Sequence, residues 1–234
     1  MSADIVIFID VDNTLLDNDR VQADLQGELE TAFGARVAAR YWELFNALRD
    51  ELGYVDYFGA LQRLRLEGGL SEWDEHKLLL MGSFLIDYPF ADRLYPHALK
   101  ALGQLGKLGT TVLLTDGDVV YQPHKVQRSG LWNAVDGRVL IAVHKERTLD
   151  AVQRHYPAQH YVMVDDKLPI LNAMKAQWGK RLTTVFVRQG HYALAPETAL
   201  IPSRADITIE RIGELADFDL ASFSSQTSPQ ARAA

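Results

Sequence analysis

The chain contains no cysteine in its 234 residues. This absence excludes disulfide bonds, thiolate metal sites and a cysteine nucleophile. Long hydrophobic runs are missing as well, because acidic residues follow the apolar stretch at positions 5–9 and no basic segment precedes it. Neither a secretion signal nor a membrane span has this pattern. We therefore expect a cytoplasmic protein that does not work in a membrane.

Positive charge is scarce in this sequence. The 24 Lys and Arg residues are outnumbered by 31 Asp and Glu residues, which gives a formal net charge of −7. Because nucleic acids bind proteins mainly through Lys and Arg, we expect no nucleic-acid partner. The hydrophobic share of 47% is that of an ordinary globular protein with a sizeable core. If such an acidic protein binds an anionic ligand, a local cation must offset the repulsion.

Short β-branched runs alternate with helical patterns along most of the chain. This alternation predicts an α/β fold, a Rossmann-like parallel sheet with helices on both faces. Helices are predicted over residues 96–108, where Pro96 suits the first turn, and over residues 168–178. A last, weaker strand is predicted around Ile207 and Ile209. The other predicted strands cover residues 5–9, 111–115, 139–143, 161–164 and 184–187.

One long segment, from about residue 21 to residue 85, has no strand signal. Apolar residues recur there at helical spacing, as Leu25, Leu29 and Phe33 do. Glycines stand where helices are expected to end, at Gly34, Gly53, Gly68 and Gly69. The pattern predicts an insertion of about four helices between the first two strands.

The chain is thus predicted to have three parts. Residues 1–17 and 93–221 form an α/β core domain, and residues 18–92 form an inserted helical domain. Residues 222–234 are rich in Ser, Gln and Ala, which is typical of a disordered tail.

Acidic residues directly follow two of the predicted strands. Asp10 and Asp12 come after the first strand, and Asp165 and Asp166 come after the fourth. In a parallel sheet, ligands bind beyond the carboxyl ends of the strands. Carboxylates held close together need a cation, and a hard divalent ion such as Mg²⁺ prefers oxygen ligands. The first pair taken alone is also compatible with an ordinary strand-to-loop turn.

A hydroxyl and a lysine complete the pattern at the same edge of the sheet. Thr115 ends the second strand, and Asp116 and Gly117 follow with backbone N–H groups that can hold phosphate oxygens. Lys145 follows the third strand and can stabilise a phosphoryl group as its charge redistributes. Each feature alone is common in turns or on surfaces. The interpretation as a phosphate site depends on the order in which the acids, the hydroxyl and the lysine follow successive strands.

In this order the residues resemble the haloacid dehalogenase-like hydrolase superfamily. The first motif is Asp10-Val11-Asp12-Asn13-Thr14, the second Thr115, the third Lys145 and the fourth Asp165-Asp166. The resemblance extends over residues 4–17 and 93–210. The helical segment 18–92 stands where this family places its type-one cap.

The resemblance implies a magnesium-dependent phosphatase that hydrolyses a small-molecule phosphate ester. Asp10 would attack phosphorus and form an aspartyl-phosphate, and Asp12 would act as general acid and then as general base. Mg²⁺ would be held by the Asp10 carboxylate, the Asp12 backbone carbonyl and Asp166. Asp165 would stand beside the metal and orient Lys145.

The resemblance also assigns the phosphate-binding groups and narrows the reaction. Thr115 and the backbone N–H of Asp116 would hold the transferring phosphoryl group. Family members that dehalogenate do not use an acid at the position of Asp12, and ATPase members usually have Thr there. A phosphatase or a phosphomutase remains. Since no cap groups for a bisphosphate are recognisable, we favour the phosphatase.

Two alternatives belong to other functional classes. A response-regulator receiver also uses aspartates, Mg²⁺, Thr and Lys on a parallel sheet, but its acceptor aspartate follows the third strand rather than the first. An inactive binding protein on this fold is the other alternative, which the complete set of motifs disfavours. Turnover of a phosphate ester separates both from a phosphatase.

The inserted helices give weaker signals. Asp17 and Asn18 begin the expected hinge between the two domains. Elsewhere in the chain, the sequence gives only weak support for a role of His124 and His191 in the site. Arg40, Arg63 and Arg65 are expected on a solvated helix face. We expect an apolar core for most of the aromatic residues of this segment, namely Trp42, Phe45, Tyr54, Tyr57, Phe58 and Trp73.

Overall fold

The structure is a computed structural model that describes residues 3–67, 72–202 and 205–217. The predicted helix end at Gly68-Gly69 and the tail at 222–234 lie outside these ranges, as does the side chain of Trp73. The division into a core domain, a helical cap domain and a disordered tail stays a prediction.

A parallel sheet forms the centre of the molecule. In the described ranges it has six strands in the order β3-β2-β1-β4-β5-β6. The α/β fold predicted from the sequence is confirmed, and every predicted strand is present. The strands are β1 (Ala3–Ile9), β2 (Thr110–Asp116), β3 (Val139–Ala142), β4 (Ala158–Asp165), β5 (Leu182–Val187) and β6 (Ile207–Ile209).

Four α-helices stand between β1 and α5 (Ala98–Leu105) in the described part of the chain. Gly34 and Gly53 follow the first two helices, and Gly53 takes the left-handed conformation that ends a helix. The apolar interior of these helices is continuous with the core on one face of the sheet. The helices are α1 (Asn18–Phe33), α2 (Ala35–Leu52), α3 (Tyr57–Leu66) and α4 (Glu72–Asp87).

The remaining helices follow β2, apart from α5, which precedes it. Of these, α5 packs on the face of the sheet that carries Ile7 and Ile9, whereas α8 and α9 pack on the face that carries Val6 and Phe8. Both faces are therefore covered, which explains why β1 is an unbroken apolar run. The helices are α5 (Ala98–Leu105), α6 (Tyr121–Arg128), α7 (Leu131–Ala134), α8 (Leu149–His155), α9 (Leu168–Trp178) and α10 (Gly190–Leu194).

The helix predicted over residues 96–108 is shorter than expected. His97 has a φ of 66°, in the left-handed region, and the helix begins only at Ala98. Pro96 therefore precedes the helix instead of occupying its first turn, so that part of the prediction is wrong. The helix ends at Leu105, before Gly106.

The strand order fixes where a ligand site is expected. The chain moves from β1 to β2 and β3 on one side of the sheet, then to β4, β5 and β6 on the other side. Loops diverge where this order reverses, which leaves a crevice beyond the carboxyl ends of β1 and β4.

Among the described helices, none combines the length and the apolar character needed to cross a lipid bilayer.

Candidate active site

Three carboxylates meet at the crevice between β1 and β4. Asp10 follows β1, where its N–H donates to the carbonyl of Val164 at 3.0 Å. Asp165 ends β4 and Asp166 is the next residue. One oxygen of each of these three acids lies within 4.8 Å of the other two, and all three side chains are buried. The structure thus brings together the acids that follow two separate strands.

Lys145 lies between two of these carboxylates. Its Nζ donates to Oδ1 of Asp10 at 2.5 Å and lies 2.7 Å from Oδ2 of Asp165, without the alignment of a hydrogen bond. The backbone N–H of Lys145 donates to Oδ1 of Asp116 at 2.7 Å, which fixes the turn after β3. Burial opposes the charge of Lys145, but the carboxylates of Asp10, Asp165 and Asp116 raise its pKa. Lys145 is therefore a buried ammonium.

Asp165 and Asp166 differ in what their oxygens contact. Oδ1 of Asp165 accepts the N–H of Lys167 at 2.7 Å, and Oδ2 lies beside Lys145. Both oxygens of Asp166 are buried, and neither accepts from a donor in the described residues. Burial raises the pKa of Asp165 to about 6, against the opposing charge of Lys145. Burial, and then the charges of Asp165 and Asp10, raise the pKa of Asp166 well above its usual range.

These observations fit a hard metal ion. A fully buried carboxylate with two unpartnered oxygens is costly unless a proton or a cation neutralises it. Asp166 meets that description, and Asp10 stands beside it with Oδ2 accepting from no described donor. Oxygen ligands of this kind suit Mg²⁺, Mn²⁺ or Ca²⁺. Asp165 is less suited as a ligand because both of its oxygens already have partners.

Asp12 lies at the same crevice, but its carboxylate has different partners. Nζ of Lys125, on α6, lies 2.8 Å from both Oδ1 and Oδ2 of Asp12. Nε2 of Gln122 donates to Oδ2 of Asp12 at 3.3 Å and to Oγ1 of Thr115 at 3.0 Å. The side chain of Asp12 remains 28% exposed, so it is accessible from the pocket.

The loop after Asp12 is held by Asn13. Asn13 has a φ of 61°, and its Oδ1 accepts the N–H groups of Asn18 and Asp19 at the start of α1. Asp19 in turn accepts the N–H of His191 at 2.7 Å. Gly190 lies against Asn13 with a φ of 70°, and a Cβ at position 190 would come within 2.5 Å of the Asn13 Cβ. Only glycine fits there without displacing this loop.

A pocket of about 270 Å³ opens above these groups. The core side supplies the predicted residues Asp10, Asp12, Thr115 and Asp116. Lys145, Asp165 and Asp166 lie beneath it as buried groups. The side formed by the inserted helices and the loop after α2 supplies Asn18, Gln22, Arg49, Gly53, Tyr54, Val55 and Tyr57.

Residues that the sequence analysis missed include Gln122 and Lys125. They are three positions apart on α6 and share its buried face. A polar residue and a lysine at this spacing are also common on solvated helix faces, so the sequence alone does not single them out. Lys167 was also missed. It lines the pocket with its Nζ 4.3 Å from the ring centre of Tyr192, and no carboxylate of the described residues forms an ion pair with it.

The aromatic residues of the inserted helices divide between core and pocket. Phe45 is buried, Trp42 and Phe58 are half-buried against the same core, and Tyr54 lines the pocket. Tyr57 belongs to both groups. Its ring is buried in the core, and the residue also lines the pocket, with its hydroxyl facing α1. Arg40 and Arg65 are exposed and Arg63 is half-buried. All three form ion pairs with glutamates, namely Arg40 with Glu43 and Glu67, Arg63 with Glu51, and Arg65 with Glu75.

Comparison with known proteins identifies relatives over most of the chain. The sequence profile of the haloacid dehalogenase-like hydrolases matches residues 6–176. A crystal structure of a haloacid dehalogenase-like hydrolase from Burkholderia xenovorans LB400 is 62% identical, covers 92% of this chain and 99% of its own, and has a TM-score of 0.84. No curated protein matches the chain.

Two more distant structures share the fold. A HAD-hydrolase from Bacillus subtilis bound to magnesium is 16% identical, with a TM-score of 0.61 and coverage of 92% of this chain and 97% of its own. An L-2-haloacid dehalogenase is 17% identical, with a TM-score of 0.65 and coverage of 92% and 98%. At such identities the likeness extends to the fold alone, so the chemistry must be argued from the site.

Proposed function

Because the chain belongs to the haloacid dehalogenase-like hydrolase family, we propose that it is a magnesium-dependent phosphatase acting on small phosphate monoesters through an aspartyl-phosphate on Asp10. The observation that carries this proposal is the buried Asp166 beside Asp10, with two carboxylate oxygens that have no donor in the described residues. A phosphate ester is an anion, and it enters this acidic site only if a cation offsets the repulsion.

The proposed metal ligands are the carboxylates of Asp10 and Asp166 and the backbone carbonyl of Asp12. Mg²⁺ bound there would neutralise charge between the nucleophile and a phosphate oxygen. Asp165 is proposed to stand outside the ligand set, because its oxygens contact Lys145 and the N–H of Lys167. Its role is then to hold Lys145 in place.

In the proposed reaction Asp10 attacks phosphorus and the ester oxygen leaves. Asp12 protonates that leaving oxygen, and then removes a proton from the water that hydrolyses the aspartyl-phosphate. This second step returns Asp10 to a carboxylate and releases inorganic phosphate. The position of Asp12 in the pocket, 28% exposed, supports contact with a leaving group.

The transferring phosphoryl group is proposed to contact Thr115 and the N–H of Asp116. The N–H of Leu113 donates to the carbonyl of Arg138, directly before β3, at 2.9 Å, and the N–H of Gly117 donates to that of Ala142 in β3 at 3.1 Å. Since successive N–H groups of a strand point to opposite sides, the N–H of Asp116 points towards β1 and Asp10. The ammonium of Lys145 adds a positive charge beside Asp10.

The helices α1 to α4 are proposed to form a cap over this site. Arg49, Tyr54 and Tyr57 line the pocket from that side, opposite the carboxylates. Closure by such a cap would exclude water during phosphoryl transfer. We propose that these groups contact the part of the substrate beyond the phosphate.

Dehalogenation is the competing assignment within this family. Displacing a halide from carbon requires neither a proton for the leaving group nor a metal ion at the reacting centre. The carboxylate of Asp12 in the pocket and the unpartnered oxygens of Asp166 would then have no chemical role. Both features support phosphate-ester hydrolysis instead.

A substrate screen tests the proposal. Purified protein would be assayed in Mg²⁺ against sugar phosphates, nucleotides, phosphoglycolate, flavin mononucleotide and p-nitrophenyl phosphate for phosphate release, and against 2-chloropropionate for chloride release. We expect phosphate release from at least one ester, dependent on Mg²⁺ and absent in Asp10→Asn. Chloride release without phosphate release would replace the phosphatase by a dehalogenase. Labelling by a phosphodonor without turnover would indicate a phospho-acceptor protein.

A further inference from the structure

Lys125 is a buried lysine that the proposed reaction does not yet use. It is 1% exposed and lies on the inner face of α6. Its Nζ lies 2.8 Å from each oxygen of Asp12 and 3.0 Å from Oδ1 of Asn18. These are three acceptors, and an ammonium has three N–H groups. Lys125 therefore has no donor left for a substrate.

The same lysine connects Asp12 to the inserted helices. Asn18 begins α1, and its Nδ2 donates to the hydroxyl of Tyr57 on α3 at 3.3 Å. Gln22, one turn further along α1, donates to that hydroxyl at 3.3 Å as well. A continuous chain of polar contacts thus runs from Asp12 through Lys125 and Asn18 to α3.

We propose that Lys125 is a positioning residue that fixes the carboxylate of Asp12 for proton transfer and ties its position to α1 and α3. This inference rests on the phosphatase proposed above. Proton transfer needs the acid within hydrogen-bond reach of the leaving oxygen, and a partly exposed aspartate samples other rotamers unless its oxygens are held. Lys125 holds both oxygens, and Gln122 adds a contact to one of them.

A double-mutant cycle separates this role from substrate binding. Lys125→Met keeps the length of the side chain and removes its charge. We expect it to lower kcat for an alkyl phosphate by about 10²-fold, the loss typical of a misplaced catalytic group, with little change in KM. Asp12→Asn together with Lys125→Met should be no slower than Asp12→Asn alone, because Lys125 acts only through Asp12. Losses that multiply would overturn the proposal.

The leaving group supplies a second readout. Release of p-nitrophenolate needs no proton, so Lys125→Met should form the aspartyl-phosphate from p-nitrophenyl phosphate at nearly the wild-type rate. The burst of p-nitrophenolate should persist while steady-state turnover falls. An equal loss of burst and turnover would indicate a general defect of the site, and would contradict a positioning role.

Chemical rescue is possible because the chain has no cysteine of its own. Lys125→Cys, alkylated with 2-bromoethylamine in urea and then refolded, regains an ammonium at nearly the original distance. No other residue carries a thiol, so only position 125 is changed. We expect turnover to recover at least tenfold relative to the unalkylated variant, in line with the roughly 10²-fold loss expected above. No recovery in a refolded, alkylated protein would overturn the proposal.

Two controls keep the outcomes distinguishable. Lys100→Met removes an exposed lysine of α5 that pairs with Asp217 and lies outside the site residues, and it should leave turnover unchanged. Thermal unfolding of each variant shows whether it folds, and Lys125→Gln replaces Lys125→Met in the cycle if the latter does not.

Wild-type protein inactive on every ester would overturn the phosphatase itself. Active wild-type protein with multiplicative losses would overturn only the role of Lys125.

Discussion

Lys145 and Asp10 are joined by a contact of 2.5 Å between Nζ and Oδ1, although they come from the loops after β3 and β1. The contact holds one oxygen of Asp10, while Oδ2 accepts from no donor in the described residues. A nucleophile fixed in this way loses less freedom when it reacts. Lys145 also offsets the buried charges of Asp10 and Asp165, so its removal alone would leave uncompensated charge in the interior.

Removing the charge of Lys145 should therefore destabilise the protein. Lys145→Met leaves Asp10 and Asp165 buried without their cation, and breaking such a pair typically costs about 3–5 kcal/mol. Urea unfolding in EDTA should show a loss of this order. The double variant with Asp165→Asn removes one of the two uncompensated carboxylates and should restore part of the stability. An unchanged free energy of unfolding in Lys145→Met would contradict the buried pairing.

Metal binding should be visible in stability without any activity assay. A ligand that binds only the folded state stabilises it by about 2.7 kcal/mol at 100 times its dissociation constant. We expect Mg²⁺ to raise the melting temperature of the wild type relative to EDTA, and Asp166→Asn to abolish this rise. Asp165→Asn is the matched control and should keep part of it. The opposite order of the two variants would show that the ligand is Asp165.

The pH dependence without metal follows from the raised pKa of Asp166. Since its pKa is higher in the folded than in the unfolded state, its carboxylate destabilises the fold at high pH, and this cost disappears as the pH falls through the folded pKa. In EDTA, Asp166→Asn should therefore be more stable than the wild type at pH values above the folded pKa of Asp166. Its advantage should shrink as the pH falls towards the ordinary pKa of an aspartate. An advantage that grows as the pH falls would contradict the shift.

Gly190 should be required for the loop that carries Asp12. In Gly190→Ala the new Cβ would clash with Asn13, in addition to the left-handed backbone cost of about 1–2 kcal/mol. Gly130→Ala is the matched control, with a φ of 82° and open space around the position. We expect both variants to lose stability, but only Gly190→Ala to lose phosphatase turnover as well. Equal effects of the two substitutions would contradict a specific role of the contact with Asn13.

Much of the fold could be predicted because its signals are local. Each strand is a short apolar run, and the sheet is buried on both faces, so the runs stand out without alternation. The start of α5 could not be predicted from local sequence signals. Pro96 suits a helix start by local preference, but the chain at His97 takes a left-handed conformation, and the N–H of the preceding Tyr95 is bonded to the carbonyl of the distant Leu15. Tertiary contacts decide such boundaries.

The site could be predicted only in part from the sequence, because some of its contacts are also set by tertiary packing. Asp10, Asp12, Asp165 and Asp166 stand at strand ends, where topology alone predicts a crevice. The partners of Asp12 come from a helix instead. A lysine inside a helix is most often a solvated charge, so Lys125 gave no signal before its burial was known. Its contact with Asn18 depends on how the inserted helices pack on the core, which no local pattern encodes.

Trapping the covalent intermediate tests the central claim most directly. Asp12→Asn removes the general base, so hydrolysis of the aspartyl-phosphate should slow by about 10²–10⁴-fold while p-nitrophenyl phosphate still forms it. Intact-protein mass spectrometry after an acid quench should then show one added phosphoryl group, mapped to Asp10 by peptide analysis. Asp10→Asn combined with Asp12→Asn should show none. Turnover of phosphate esters by Asp10→Asn at the wild-type rate, or a phosphoryl group on another residue, would contradict the account.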